Sequence, residues 1–159
     1  MDKSLIPPQV NDILRALLQL HPLPQSVWLF GSRANARVTP QSDTDLLVFA
    51  DRKYVESLRR TIPSKPCDVD VLVVVDGDTI VYPWRHETGS LRTWEWKFTG
   101  TNSASYVGTK CRPDVDLDED DLDAIRRISE AESYSNNFVN LCRVQIVNER
   151  AIRIFQVDA

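Results

Sequence analysis

The stretch FGSRANARVTPQSDTDLLVFA, residues 30–50, decides the fold and raises the functional question. Gly31-Ser32 ends one apolar run, and Asp43-Thr44-Asp45 begins the next. The run at residues 46–49 is typical of a central strand, so the aspartates lie at the mouth of that strand. A glycine turn beside paired carboxylates predicts a site for a highly charged ligand.

The two aspartates are informative because of their context. Asp-x-Asp occurs seven times in the chain, so the spacing alone does not indicate a site. Strand alternation points Asp43 and Asp45 to one face and Thr44 to the other. Two carboxylates on one face repel each other unless a cation joins them, and Mg²⁺ prefers such hard oxygen ligands. The alternative interpretation is that Ser42-Asp43 only forms a turn or cap before the strand.

A third carboxylate comes from the next apolar run, residues 69–75. Asp70 is embedded there among β-branched residues, where an unpaired carboxylate is expensive. If this strand neighbours the one that follows Asp45, Asp70 completes a cluster of three. Asp68 has the same parity and is the alternative, although its place beside a proline-bounded loop favours a solvated residue.

Gly31-Ser32 forms the other half of the predicted site. A glycine that leaves a strand and opens a short helix exposes backbone N–H groups that can hold phosphate, and the serine hydroxyl adds a donor. Arg33 and Arg37 would neutralise phosphate charge. For Arg37, a solvated helix residue is an equally good interpretation.

The first half of the chain predicts alternating helices and strands. An amphipathic helix begins near Pro7-Pro8 and carries apolar residues at 3.6-residue spacing until His21-Pro22. The elements expected next are a strand at 26–30, a short helix at 33–37, a strand at 45–50, a helix at 52–61 and a strand at 69–75.

The second half of the chain has a looser pattern. Residues 92–98 (RTWEWKF) alternate, which predicts a strand with Trp94, Trp96 and Phe98 on one face. A further strand is expected at 105–107 and a helix after the acidic run 113–123. Residues 144–157 fit either a helix tail plus a strand or a hairpin turning at Asn148-Glu149.

The composition is that of an ordinary soluble protein, and the length fits one domain, or one domain with a modest appendage. Nineteen basic and 23 acidic residues among 159 give a net charge of −4, the wrong sign for holding long nucleic acid. The three cysteines have neither zinc nor disulfide spacing and indicate reduced thiols. No signal peptide and no membrane span is recognisable. We therefore expect a cytoplasmic protein.

The motif as a whole resembles a known family. Gly31-Ser32, ten residues, Asp43-x-Asp45 and a later strand aspartate, Asp70, are similar to the nucleotidyltransferase superfamily of DNA polymerase β. Within it, residues 31–34 and 42–48 look like the small prokaryotic branch, the minimal nucleotidyltransferases. Asn35 and Ala36 depart from the pattern of that branch, with Ala36 in place of a glycine. The resemblance covers about residues 27–75.

The resemblance implies an α/β (α+β) fold, a mixed sheet flanked by helices, in a nucleotidyltransferase domain at residues 1–110. Residues 111–159 would form a C-terminal helical and strand extension packed on the same domain. The implied reaction transfers a nucleoside monophosphate, AMP from ATP by family likeness, to a hydroxyl acceptor. Asp43, Asp45 and Asp70 would hold two Mg²⁺ ions, with Mn²⁺ as a substitute, and Asp70 would act as general base or hold the metal on the attacking oxygen. Gly31, Ser32, Arg33 and Arg37 would bind the nucleotide.

The sequence does not determine the identity of the acceptor. Small relatives are either antitoxins that modify a paired toxin, often a ribonuclease of the HEPN (higher eukaryotes and prokaryotes nucleotide-binding) type, or antibiotic-modifying transferases. The small size favours a protein acceptor of the toxin–antitoxin kind. The alternatives are a small-molecule transferase and a non-catalytic binding module. Neither the nucleotide preference nor the oligomeric state follows from the sequence.

Overall fold

The computed structural model describes residues 5–111 and 144–158. The chain divides into one compact unit, Met1–Tyr106 with Glu149–Ala159, and a second unit, Val107–Asn148. Every feature of the site described below lies in the first unit. The boundary expected at residue 110 remains a prediction.

The described residues form eight strands, three α-helices and two short 3₁₀ helices. The α-helices are α1 (Asn11–Gln19), α2 (Gly31–Ala34) and α3 (Arg52–Thr61), and the 3₁₀ helices are Pro8–Val10 and Leu91–Trp94. The strands are β1 (Ser26–Phe30), β2 (Thr44–Phe49), β3 (Val69–Val75), β4 (Thr79–Val81), β5 (Thr88–Ser90), β6 (Lys97–Gly100), β7 (Ser103–Cys111) and β8 (Val144–Gln156).

All eight strands belong to one mixed sheet in the order β5-β4-β3-β2-β1-β8-β7-β6. β2 and β3 are parallel, and α3 makes the crossover connection that parallel neighbours require. β1 pairs antiparallel with both β2 and β8, and β3 pairs antiparallel with β4. The mixed sheet and the α+β class expected from the sequence are confirmed.

One face of the sheet is covered by helices. The apolar stripe of α1, including Leu17, and that of α3, including Tyr54 and Leu58, pack on inward residues of β1, β2 and β3. The Tyr54 hydroxyl donates to the Leu17 carbonyl at 2.9 Å and ties α3 to α1. Fully burying an aliphatic side chain contributes about 1.5–3 kcal/mol, so this face supplies much of the stability.

The opposite face is covered by aromatic side chains. Trp28, Leu47 and Val74 form its buried floor. Rings from the 3₁₀ helix at Leu91–Trp94, from β6 and from Trp96 between them pack against it, as in the edge-to-face contact of Trp28 with Trp96 at 5.5 Å between centroids. Among the described residues, the helices therefore flank one face only, and this part of the fold is more sheet-dominated than the sequence predicted.

The strands at 26–30 and 69–75 and the helix at 52–61 are confirmed at their predicted bounds. The short helix predicted at 33–37 begins earlier, at Gly31, and ends at Ala34. The helix expected after residues 113–123 lies outside the described residues.

Two predictions in the second half of the chain are wrong. Residues 92–98 are not one strand, because the Ser90 hydroxyl accepts the Arg92 N–H and starts a 3₁₀ turn. Glu95 then adopts a left-handed backbone, φ 50°, and only at Lys97 does β6 begin. At the C-terminal end, β8 runs straight through Asn148 and Glu149 without a hairpin turn.

In the part of the chain that the model describes, no helix is long and apolar enough to cross a membrane. Cys67 is an exposed free thiol.

Candidate active site

The parallel pairing of β2 and β3 brings two of the predicted carboxylates together. Asp45 and Asp70 are direct partners in the register of the two strands. Asp45 is also the partner of Phe30 on β1, so both carboxylates point to the aromatic face of the sheet. The prediction of a three-carboxylate cluster required these two strands to be neighbours, and β2 and β3 are neighbours in the sheet.

Electrostatics shows that Asp43 belongs to the same group. The pKa of Asp45 is raised from 3.8 to about 6, first by burial and then by the charges of Asp70 and Asp43. Lys65 and Arg33 act in the opposite direction and lower this pKa. Carboxylates that repel one another in this way are the kind of ligand that a hard divalent cation prefers.

The cluster is not a closed metal cage. Among the described residues, no three acidic, imidazole or thiol side chains are gathered closely enough to hold one metal ion. Instead, the Lys65 ammonium lies 2.9 Å from Asp70 Oδ1, and hydrogen bonding to Asp70 raises the pKa of Lys65. The oxygen chemistry fits Mg²⁺, provided that Lys65 releases Asp70.

Asp68, the alternative third carboxylate, lies apart from the cluster. It is exposed and precedes β3 in a left-handed conformation with φ 60°. Its backbone carbonyl accepts the Thr44 N–H at 2.9 Å, which closes the mouth of the β2–β3 pair. The geometry therefore favours Asp70 over Asp68.

Gly31 is in direct contact with Asp45. Its φ of 68° lies in the left-handed region that L side chains rarely adopt. A Cβ added here would overlap Asp45 Oδ2 and come within 2.9 Å of Asp45 Cγ. Glycine at this position thus satisfies both the turn and the close approach of the carboxylate.

The Gly31 N–H is not a free donor in this structure. It donates to the Tyr106 hydroxyl at 2.8 Å. Burial raises the pKa of Tyr106 to about 12, and the charges of Glu149 and Asp45 act in the same direction. Tyr106 holds the turn from the adjoining part of the sheet, a contact between residues too far apart in sequence to be recognised there.

Ser32 has the properties expected of a ligand-binding residue. Its carbonyl accepts the N–H groups of Asn35 at 3.2 Å and Arg37 at 3.0 Å, which fixes the turn. Its hydroxyl has no hydrogen-bond partner among the described residues and is partly exposed. This hydroxyl is the donor of the turn that remains available.

The two predicted phosphate-binding arginines are both engaged within the protein. Arg33 donates from Nη2 to the Ser42 carbonyl at 2.9 Å and so braces the loop that leads to Asp43. Arg37 pairs through Nη2 with Oε1 of the buried Glu149 at 2.5 Å. The structure thus gives both arginines a positioning contact.

The two departures from the family pattern have opposite consequences. Asn35 clamps the turn, since its side chain donates to the Gly31 and Arg150 carbonyls at 2.7 and 3.0 Å and accepts the Arg150 N–H at 2.8 Å. Ala36 instead adopts φ 55°, the conformation that the usual glycine takes without strain. The left-handed conformation of Ala36 therefore costs conformational energy, whereas Asn35 adds hydrogen bonds to Arg150 on β8.

A cleft of about 250 Å³ opens beside the carboxylates. Its lining includes Asp45, Asp70, Phe30, Lys65, Trp84 and Trp94. Trp84 Nε1 donates to the Ile62 carbonyl at 2.8 Å, which fixes the ring at the cleft wall.

A family model described as a nucleotidyltransferase domain matches residues 10–110 of the chain. The match includes the Gly31-Ser32 turn, all three carboxylates and the cleft. No curated protein and no solved structure matches the chain significantly.

The Asp45→Asn variant tests the repulsion within the cluster. Folded Asp45 binds its proton more tightly than the unfolded chain does. Its contribution to stability is therefore fully present below pH 3.8 and is lost as the pH rises through about 6. The ionised carboxylate costs on the order of 2 kcal/mol at neutral pH after a discount for its partial exposure. At pH 7 the variant should equal or exceed wild type in urea-denaturation stability, without that pH slope.

Asp68→Asn is the matched control for this experiment, since Asp68 is exposed, lies outside the cluster, and has a conformation that asparagine tolerates. A marked loss of stability in Asp45→Asn at pH 7 would contradict the repulsion and indicate a structural aspartate.

The Gly31→Ala variant tests the contact with Asp45. It should lose roughly 1–3 kcal/mol from backbone strain alone and more from displacement of the carboxylate. Gly77→Ala is the control, because Gly77 has φ 78° with nothing within 4 Å of an added Cβ. Urea denaturation should show a larger loss for Gly31→Ala, and the excess should shrink in an Asp45→Ala background. Equal losses for both glycines would show that the Asp45 contact is unimportant.

Proposed function

The chain belongs to the nucleotidyltransferase domain family, and we propose that it transfers AMP from ATP to a hydroxyl group of a protein partner. One observation carries the proposal: the register pairing of Asp45 with Asp70, next to a glycine turn that touches Asp45. The turn proposed to bind phosphate therefore lies directly beside the carboxylates proposed to bind cations. ATP as the nucleotide rests on family likeness.

The Gly31-Ser32 turn would bind the phosphates that leave as pyrophosphate. The Ser32 hydroxyl donates to a phosphate oxygen, and Gly31 allows this close approach because it has no side chain. Arg33 adds positive charge nearby while it braces the loop before Asp43. Tyr106 keeps the turn in place through the Gly31 N–H.

Asp43, Asp45 and Asp70 would hold Mg²⁺, or Mn²⁺ in its place, as two ions. When bound, the ions neutralise charge on the phosphates and on the attacking and leaving oxygens. The raised pKa of Asp45 supports this assignment, since a divalent cation relieves the same repulsion that a proton relieves.

In the proposed reaction the acceptor hydroxyl oxygen forms a bond to the α-phosphorus. The bond from that phosphorus to the bridging oxygen breaks, and pyrophosphate leaves. The hydroxyl proton passes to the Asp70 carboxylate, or Asp70 acts by holding the cation on the attacking oxygen. In this structure Lys65 pairs with Oδ1 of Asp70, so Oδ2 is the oxygen that remains for the acceptor hydroxyl.

For the acceptor, we propose a protein of the HEPN-toxin type, which would make this chain the antitoxin of a cytoplasmic toxin–antitoxin pair. The volume of the cleft, about 250 Å³, supports one side chain as the acceptor group. The second candidate is transfer to a small molecule of antibiotic type, which a cleft of this volume also accommodates. A non-catalytic binding module is disfavoured because all five core residues are present: Gly31, Ser32, Asp43, Asp45 and Asp70.

Labelled ATP tests the reaction. With Mg²⁺ and α-labelled ATP, the protein should label a partner protein and, slowly, itself. With γ-labelled ATP, no label should be retained, because the γ-phosphate leaves in pyrophosphate. Chelation of the metal should abolish labelling. Retention of the γ-label would mean phosphoryl transfer and would overturn the proposal.

The Ser32→Ala variant tests the phosphate turn. Loss of one preorganised donor in the transition state is worth roughly 2.7–4 kcal/mol, or about 10²–10³-fold in kcat. Stability should change little, because the Ser32 hydroxyl has no partner among the described residues. Ser57→Ala is the control, since that hydroxyl donates to the His21 carbonyl away from the carboxylates. An unchanged rate in Ser32→Ala would reduce Gly31-Ser32 to a simple turn.

A further inference from the structure

The side from which the acceptor approaches follows from the order of the strands. The Gly31-Ser32 turn follows β1, Asp45 is on β2, and Asp70 is on β3. In an in-line displacement the attacking oxygen enters opposite the leaving pyrophosphate. If pyrophosphate lies at the turn on the β1 side, the acceptor enters from the β3 side, where the 250 Å³ cleft opens.

A second groove continues outward from this cleft. It has a volume of about 490 Å³ and shares Lys65, Pro83, Trp84 and Arg85 with the cleft. Its lining adds Arg59 from α3 and His86, and it contains no acidic residue. We call it the basic groove: Arg59, Lys65, Pro83, Trp84, Arg85 and His86.

The basic groove is assembled by the fold and not by a run of basic residues in the sequence. Arg59 donates from Nε to the Pro83 carbonyl at 2.6 Å, which joins α3 to the connection between β4 and β5. Lys65 and Arg85 both line the cleft as well as the groove, so two positive charges lie where the two cavities meet. The chain as a whole carries a net charge of −4, so this local concentration of positive charge is a distinct feature of the surface.

Arg85 is exposed in the groove. Its guanidinium makes no hydrogen bond or ion pair with any of the described residues. By contrast, Arg33 and Arg37 are both committed to internal contacts. A free guanidinium beside the Trp84 ring is suited to bind a carboxylate or a phosphate from outside.

We propose that the basic groove binds an acidic segment of the protein acceptor, with the hydroxyl to be modified placed in the cleft beside Asp70. This inference rests on the proposed function. Charge complementarity identifies the occupant, since three basic side chains and His86 line the groove without an acidic one. Pro63, Pro83 and Trp84 also line the groove and add the apolar surface on which an extended peptide packs.

A nucleic-acid acceptor is the less favoured occupant. The net charge of −4 repels an extended phosphate backbone, and the groove is only about 490 Å³. A polycationic small molecule is also disfavoured, because it would meet Lys65 and Arg85 on the way to Asp70.

Peptide binding tests the groove without relying on turnover. Three fluorescein-labelled peptides share a central serine and differ only in their flanks, which are glutamate, lysine or glutamine. Fluorescence anisotropy with the full chain, Mg²⁺ and a non-hydrolysable ATP analogue should rank glutamate first. The preference over lysine should be roughly fivefold and should weaken with added salt, as expected for exposed charge pairs.

A charge reversal assigns the preference to the groove. Arg85→Glu should weaken binding of the glutamate peptide by roughly fivefold and strengthen binding of the lysine peptide. Arg60→Glu is the matched control: it makes the same charge change on α3, but Arg60 borders a different groove beside α1. It should leave both affinities near those of wild type. Thermal stabilisation by Mg²⁺-ATP should be unchanged in both variants, which separates the groove from the nucleotide site.

Three outcomes would overturn the inference. The first is equal binding of the three peptides, and the second is equal loss in Arg85→Glu and Arg60→Glu. The third is tighter, Arg85-dependent binding of a short single-stranded oligoribonucleotide, which would assign the groove to nucleic acid. Failure of the proposed function has a different signature: ATP label would not be transferred to any acceptor, while the peptide preference would persist.

Discussion

The register between β2 and β3 places Asp45 and Asp70 opposite each other, and the other features of the site depend on that pairing. It requires a parallel neighbour and therefore the crossover helix α3 between the two strands. It also directs both carboxylates to the aromatic face, where the cleft lies. A slip of one residue would send Asp70 to the face covered by α1 and α3.

The sequence was sufficient for the parts of the site that local patterns determine. Alternation along the strands predicted that Asp45 and Asp70 share a face, and the register of β2 and β3 pairs them. Asp43 lies just before β2, which begins at Thr44, so strand alternation does not fix its direction. The glycine turn was recognisable from its place after an apolar run. The internal partners of Arg33 and Arg37 could not be predicted from the sequence, because no local pattern indicates which residue an arginine will contact. Glu149, which pairs with Arg37, lies 112 residues further along the chain.

The residues that sequence reasoning missed are those brought in by distant segments. Tyr106 reaches Gly31 from 75 residues away, and Lys65 comes from a proline-bounded loop with no periodicity to interpret. The predicted strand at 92–98 failed for a local reason, since the capping hydroxyl of Ser90 outweighed an alternating pattern of tryptophans. Trp94, Trp96 and Phe98 nonetheless contact the same aromatic cluster, but the two tryptophans are half-buried and Phe98 is 64% exposed. The alternation therefore indicated shared ring contacts, but neither a strand nor burial.

The internal use of Arg33 and Arg37 changes how a triphosphate could be held. Arg37 is paired with Glu149, whereas Arg33 donates from Nη2 to the neutral Ser42 carbonyl and its buried Nε has no partner among the described residues. A highly charged anion would then face three carboxylates whose charge Arg33 offsets only in part. In the proposed reaction, binding of the nucleotide would therefore depend on cations that bind with it, because the anion alone meets repulsion from the carboxylates, whereas cations are attracted by them. Lys65, whose ammonium lies 2.9 Å from Asp70 Oδ1, offsets part of the same negative charge.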